Sequence, residues 1–239
     1  YDHFRKQQCN QVTGYNVASS GGVWGPYYQG IGYCNKFIAD ITTYDVKNLT
    51  NSDKVNYIAE AKFLKAYYHY KLMSACGPIP IIDSQLPMSL PKEQIPGRSH
   101  FDACTDYVVN LCDEVYPDLE KDFDYNSRYY GRATKMAAKM LKAKVLVLAA
   151  SPLWNGSFHD KSWKNEKYET PGYGYELVSK VYDPKKWERA EKACLEAIEE
   201  AHENGHRLFD LEDSEVLRMS EGIALPKVPV SDEAAREEI

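Results

Sequence analysis

Apolar residues recur at three- and four-residue steps in five segments of the chain, and each segment predicts an amphipathic helix. The first runs from about residue 28 to 44, with Ile31, Cys34, Phe37 or Ile38, and Ile41 on one stripe. The second opens at Ser52 or Asp53, either of which can cap a helix. It continues to about Cys76, with Ala59, Phe63, Ala66, Tyr70 and Met73 in register. Tyr57, Leu64, Tyr67 and Leu72 give it a second apolar side, which predicts packing between neighbours. Cys76-Gly77-Pro78-Ile79-Pro80 ends it. In the third, Ser99 is placed as N-cap with Asp102 three residues on, close to a capping box, and Phe101, Cys104, Val108, Leu111 and Val115 form the stripe. The fourth spans about residues 133 to 150: Lys135, Lys139 and Lys142 mark a solvated face, whereas Val145 to Ala150 are apolar on all sides and predict burial. Pro152 stops it. The fifth has Asp183 as cap, Pro184 at the first helical position and Gly205 just past the end. Trp187, Ala190, Cys194, Ala197 or Ile198, and Ala201 are expected on its inner face.

Small residues fall at inner positions of these helices (Ala59, Ala66, Ala137, Ala138, Ala190, Ala193, Ala197) and allow close approach, as in helix-hairpin arrays. The helix starts are unevenly spaced, which excludes a regular repeat of about 34 residues. Strand signal is thin, with Pro78 to Asp83 the one short candidate. The fold class is therefore mostly α. Two long loops, Gln85 to Gly97 and Ser157 to Tyr182, approach or exceed the length of about 12–15 residues beyond which loops in a domain tend to be functional or disordered. Leu211 to Ile239 is acidic, with two prolines and no clear stripe until Asp232.

A net charge of −6 and a pI near 5.6 argue against nucleic acid as a partner. No uncharged apolar run of about 18 residues is present to span a bilayer. The six cysteines contain no C-x-x-C pair, and Cys34, Cys104 and Cys194 sit on apolar helical positions, so neither a disulfide framework nor a zinc site is expected. There is no G-x-S-x-G, P-loop or H-E-x-x-H pattern. Asp122 and Asp124 near Arg128 could suggest a glycosidase carboxylate pair, but acidic residues two apart in a polar loop read better as solvated. His202 and His206 have metal-ligand spacing, yet Gly205 between them marks a helix end, where a histidine meets the helix dipole. Neither a catalytic group, a metal nor a cofactor is expected. The nineteen tyrosines and four tryptophans are more than the core requires and offer flat amphipathic surface.

Two longer motifs carry a family resemblance. Glu60-Ala61-Lys62-Phe63-Leu64-Lys65-Ala66-Tyr67-Tyr68 followed by Cys76-Gly77-Pro78-Ile79-Pro80 resembles the Glu-Ala-Arg-Phe-Leu-Arg-Ala helix and Phe-Gly-Gly-Val-Pro turn of the SusD/RagB family. Gly131-Arg132-Ala133-Thr134-Lys135, the Ala/Leu-rich helix after it, and Ala150-Ser151-Pro152-Leu153-Trp154-Asn155-Gly156 resemble its second signature. Trp24, Tyr28, Ile31, Asn35 and Ile38 are similar to its first helix, and Trp187-Glu188-Arg189-Ala190 to its later helix pair. The likeness runs from Trp24 to Asp210 in the family's order.

The resemblance implies tetratricopeptide-like helix pairs with long irregular loops and little strand. It implies a non-enzymatic, lipid-anchored protein of the outer-membrane surface. Such a protein captures oligosaccharides, or in some members peptides, for a SusC-like TonB-dependent porin; a scaffold half that contacts only the transporter is the remaining alternative. Members are typically about twice as long and begin at a lipidated cysteine. Residues 1–210 are thus expected to be an N-terminal helical domain, and residues 211–239 an acidic segment leading into a missing C-terminal region. The lipid anchor, the only link to the membrane, is expected to be absent from this chain. In a bacterial protein of this type the sequons at Asn48 and Asn155 carry no weight.

Sugar binding asks for an aromatic plane against C–H faces with a few placed polar groups. Tyr1, Phe4, Tyr15, Asn16, Trp24 and Tyr27 form the best local candidate, and the family's starch-binding member places contacts just before its first helix. Trp163 is the candidate from the Phe158 to Tyr175 loop. The Ser-Pro-Leu-Trp-Asn-Gly turn is expected to be scaffold.

Overall fold

The computed structural model describes residues 23–87, 89–123, 127–206 and 208. Tyr1, Phe4, Tyr15, Asn16, Asp124 and the 211–239 segment lie outside the described residues. Five α-helices are found among them: α1 (Trp24–Thr43), α2 (Asn51–Cys76), α3 (Phe101–Val115), α4 (Lys135–Ala150) and α5 (Lys185–Glu203). Single 3-10 turns at Lys92–Gln94 and Tyr116–Asp118 punctuate the connections. All five helices belong to one unit, Tyr1–Asn204; of the second, Gly205–Ile239, Gly205 is described as a left-handed residue with φ 76°. No helix among the described residues is long and apolar enough to cross a membrane.

Consecutive helices pack on one another in chain order, α1 on α2, α2 on α3, α3 on α4 and α4 on α5, the arrangement of a tetratricopeptide-like array. The small residues sit where close approach requires them: Ala59, Ala66, Ala138, Ala190, Ala193 and Ala197 are buried, and Ala137 is half-buried. Phe101, Cys104, Val108 and Leu111 of α3 are buried and form the centre of the core with Ile31, Leu72, Met73 and Val145, whereas Val115, also buried, packs with Ala59, Leu119 and Ala138.

Several expected details differ. Helix α1 begins a turn earlier than residue 28, and Ile38 rather than Phe37 turns inward. The cap of α2 is Thr50, whose Oγ1 accepts from Asp53 N–H at 3.1 Å while Asp53 Oδ2 accepts from Thr50 N–H at 3.3 Å. Asp53 is thus the reciprocal member of a capping box, not the cap. His100, not Ser99, caps α3: its Nδ1 accepts from Asp102 N–H at 3.1 Å. Thr134 caps α4 through Ala137 N–H. On α5 the inner face is Ala190, Ala193 and Ala197, whereas Trp187 and Ile198 are exposed, because α4 comes too close for larger side chains. Val147 of α4 is likewise exposed. The lysine face of α4 is bridged: Lys142 pairs with Asp113 of α3 at 2.7 Å and Lys139 with Glu196 of α5 at 3.4 Å.

No strand forms among the described residues, so Pro78 to Asp83 is not one. Side chains and a loop take its polar groups in place of a partner strand. The Ser157 to Tyr182 loop lies on the core. Phe101 N–H donates to Leu177 O at 2.9 Å, His100 N–H to Thr170 Oγ1 at 3.0 Å, and Ser179 Oγ to Asp102 Oδ2 at 2.7 Å. The Ser-Pro-Leu-Trp-Asn-Gly turn is scaffold: Trp154 stacks on Phe101 at 4.0 Å, and Asn155 exchanges hydrogen bonds with Asp183.

Candidate ligand-binding groove

A groove of about 600 Å³ runs along one flank of α1 and is bounded on its other side by residues of the Pro80–Leu86 stretch together with Ile95 and Pro96. Three aromatic side chains of α1 form its near wall. Trp24 and Tyr28 have ring centroids 5.0 Å apart, and Tyr33 stands at the rim, 65% exposed. Ile82, Leu86, Ile95, Pro80 and Pro96 form the far wall. Gln29, Ser84 and Gln85 supply neutral polar groups; among the described lining residues Lys36 is the one charged side chain, paired with Asp40 at 2.9 Å.

The far wall is held by a set of polar contacts rooted in α1, α2 and α3. Tyr28 OH donates to Pro80 O at 2.7 Å, and burial pushes its phenol well above the usual tyrosine range, so it stays a neutral donor. Asn35, 4% exposed, donates from Nδ2 to Ile82 O at 3.2 Å. Lys65, buried within α2, donates to Asp83 O at 3.0 Å and Asp83 Oδ1 at 2.9 Å, and Tyr107 OH adds a third contact to Oδ1 at 2.7 Å. Burial alone would raise the Asp83 carboxyl, but the hydrogen bonds from Lys65 and Tyr107 outweigh it and hold the group below the usual range. His69 Nδ1–H donates to Lys65 O at 2.7 Å, leaving Nε2 to accept from Ile82 N–H at 3.4 Å. That arrangement needs a neutral ring, and burial pushes the His69 pKa down to about 4.

Behind Trp24, Arg98 is a clamp. Its guanidinium lies 5.0 Å from the Trp24 ring and 5.7 Å from the Trp163 ring and donates to Cys76 O and Pro78 O. Bonded to both carbonyls, it fixes the turn after α2.

Of the sequence candidates, Trp24 lines the groove. Tyr27 faces α2, 5.7 Å from Tyr68 and against the core. Trp163 ends an aromatic column, 5.4 Å from Phe158, which stacks in turn on Trp154 at 5.3 Å; it does not line the groove. Sequence reasoning missed Tyr33, Gln29 and the wall of Ile82, Leu86, Ile95 and Pro96. The available signal was Asn35, a polar residue on the otherwise apolar stripe of α1. Among the described residues, no group of three or more His, Cys, Asp or Glu side chains comes together to hold a metal, and Cys104 is a buried thiol pushed up to about 12.

A model of a SusD-like family, described as starch-binding and associating with the outer membrane, matches residues 2–147. The chain belongs to this SusD-like family. Every residue from Trp24 to Pro96 that lines the groove falls within the matched range. The solved structure of BT4246 is 42% identical with a TM-score of 0.79, covering 88% of this chain and 34% of that one. The SusD-like protein BF3747 from Bacteroides fragilis shares the fold, with a TM-score of 0.54 at 24% identity over 79% of this chain and 28% of that one. A SusD-like protein of Bacteroides ovatus is 26% identical over 151 residues, 63% of this chain and 26% of its own. The chain thus spans about a third of the length of BT4246 and about a quarter of the SusD-like protein of Bacteroides ovatus.

Proposed function

We propose that the groove beside Trp24 is part of the glycan-binding site of a non-enzymatic, lipid-anchored surface protein. In this reading the protein delivers oligosaccharides to a SusC-like TonB-dependent porin. The observation that carries the reading is the wall of Trp24, Tyr28 and Tyr33 facing a groove with neutral hydrogen-bonding groups at its rim. Aromatic faces stack against the C–H faces of sugar rings, while Gln29, Ser84 and Gln85 suit their hydroxyls. The family's description as starch-binding and outer-membrane-associated supports it. Glycoside hydrolysis requires two carboxyl groups flanking the bond, and among the described residues none lining this groove is Asp or Glu.

The aliphatic wall of Ile82, Leu86, Ile95 and Pro96 favours a second reading, an extended peptide whose side chains fill the groove. Calorimetric titration against parallel panels of neutral oligosaccharides and short peptides separates the two. Heat from one glycan class, lost in Trp24→Ala, is the expected result; heat from peptides alone replaces the glycan reading.

A further inference from the structure

We propose that the groove beside Trp24 is one half of a longer site, and that a glycan chain crosses α1 over Tyr33 into a second groove between α1 and α2. The inference rests on the glycan reading and extends it to a second subsite and a minimum ligand length.

The second groove, about 380 Å³, lies on the opposite flank of α1. With 3.6 residues per turn, Trp24, Tyr28 and Asn35 line one flank of this helix, Gly30, Cys34 and Phe37 the other, and Gln29, Tyr33 and Lys36 the crest. Tyr33 belongs to both grooves. Its hydroxyl accepts from Gln29 Nε2 at 2.9 Å, so the crest offers an exposed aromatic face with an adjoining amide. Beside it the crest is low: nothing lies within 4 Å of where a Cβ on Gly32 would stand.

The second groove repeats the chemistry of the first and adds an acceptor. Phe37, Tyr57 and Tyr68 supply aromatic surface. Arg132, held 5.0 Å from Tyr57 and 5.1 Å from Tyr129, directs both Nε and Nη2 at a single oxygen of Glu60, Oε2. The other oxygen, Oε1, is buried and has no hydrogen-bond partner in the protein. A carboxylate oxygen left in that condition costs free energy, and a sugar hydroxyl entering the groove relieves it once the Glu60 carboxylate turns out toward the lining. A helix is about 10–12 Å across with its side chains, so only a chain of several sugar units reaches both grooves. The ligand class is a neutral, hydroxyl-rich oligosaccharide longer than a trisaccharide.

The test is calorimetric titration of the full chain with α-glucan, β-glucan and xyloglucan oligosaccharide ladders, from disaccharide to heptasaccharide. In the ladder that binds, affinity is expected to rise about tenfold between trisaccharide and hexasaccharide, the effect of one aromatic contact. Phe37→Ala and Leu64→Ser, both at exposed positions of the second groove, should each erase that rise and leave trisaccharide affinity unchanged. Equal affinity along the ladder, or a rise that survives both variants, overturns the two-groove site while leaving the first groove's reading intact. Silence from every ladder overturns the glycan reading and this inference with it.

Discussion

Gly77 and Trp154 share one small volume: a Cβ on Gly77 would stand 2.7 Å from Cη2 of the Trp154 ring. The glycine ends α2 at φ 72°, and the tryptophan lies in the turn that ends α4. Trp154 also lies flat on Phe101 at the start of α3, its ring plane within 6°. Three helix termini, far apart in sequence, are thereby fixed on one indole. The turn after α2 then leads directly into the Pro80–Asp83 wall of the groove.

Gly77→Ala should therefore destabilise the fold from two sources. A left-handed backbone held by a residue with a Cβ costs about 1–3 kcal/mol, and overpacking against the indole adds about 1–3 kcal/mol. Urea denaturation of variant and parent reads the sum. A loss below about 1 kcal/mol would mean both that the indole moves aside freely and that the turn relaxes to a backbone alanine tolerates.

Tyr33→Ala should leave stability within about 0.5 kcal/mol, because the ring is largely exposed, and weaken glycan binding by about 1–3 kcal/mol. Trp163→Ala should behave in the opposite way, lowering the melting temperature through the lost column while sparing affinity. Thermal melts paired with titrations of the same two variants check both. Full affinity in Tyr33→Ala would remove the rim from the site.

Lys65 and Asp83 are unequal partners, with side-chain exposures of 5% and 70%. Removing Asp83 strands a buried ammonium, whereas removing Lys65 leaves a carboxylate that water can reach. Asp83→Ala should cost about 2 kcal/mol more than Lys65→Met in denaturant unfolding, and both should weaken ligand binding by loosening the far wall. Equal costs would show that the Asp83 backbone carbonyl alone satisfies Lys65.

His69 makes stability depend on pH. Its folded pKa of about 4 lies below the ordinary histidine value of 6.5, so the unfolded chain binds the proton first on acidification. The contribution is complete above pH 6.5 and is lost progressively as pH falls from there toward 4, amounting to on the order of 3 kcal/mol. His100, also lowered by burial, acts in the same direction. Unfolding curves at neutral and acid pH should therefore diverge less in His69→Gln than in the parent; identical pH dependence would clear His69 of this role.

The helices were legible because burial at three- and four-residue steps writes itself into composition. Ala59, Ala66, Ala190 and Ala197 mark inner faces wherever the helices come together. Their caps were less legible, since Ser52, Asp53 and Ser99 are as suitable chemically as Thr50 and His100; the choice falls to the backbone that enters each helix. The glycan candidates were read from aromatic density, which does not separate Trp24, at the groove, from Tyr27 and Trp163, in the scaffold.

The sequence by itself determined that the chain is mostly helical and that its signatures are those of a SusD-like protein, because periodicity and motif order are local properties of the chain. Tertiary structure decided what those elements enclose. Pro78 to Asp83 reads as a strand in isolation, but Tyr28, Asn35, Lys65 and His69 occupy its polar groups and make it a groove wall. A groove needs two faces from distant stretches brought within contact, and no local pattern records which stretches those will be.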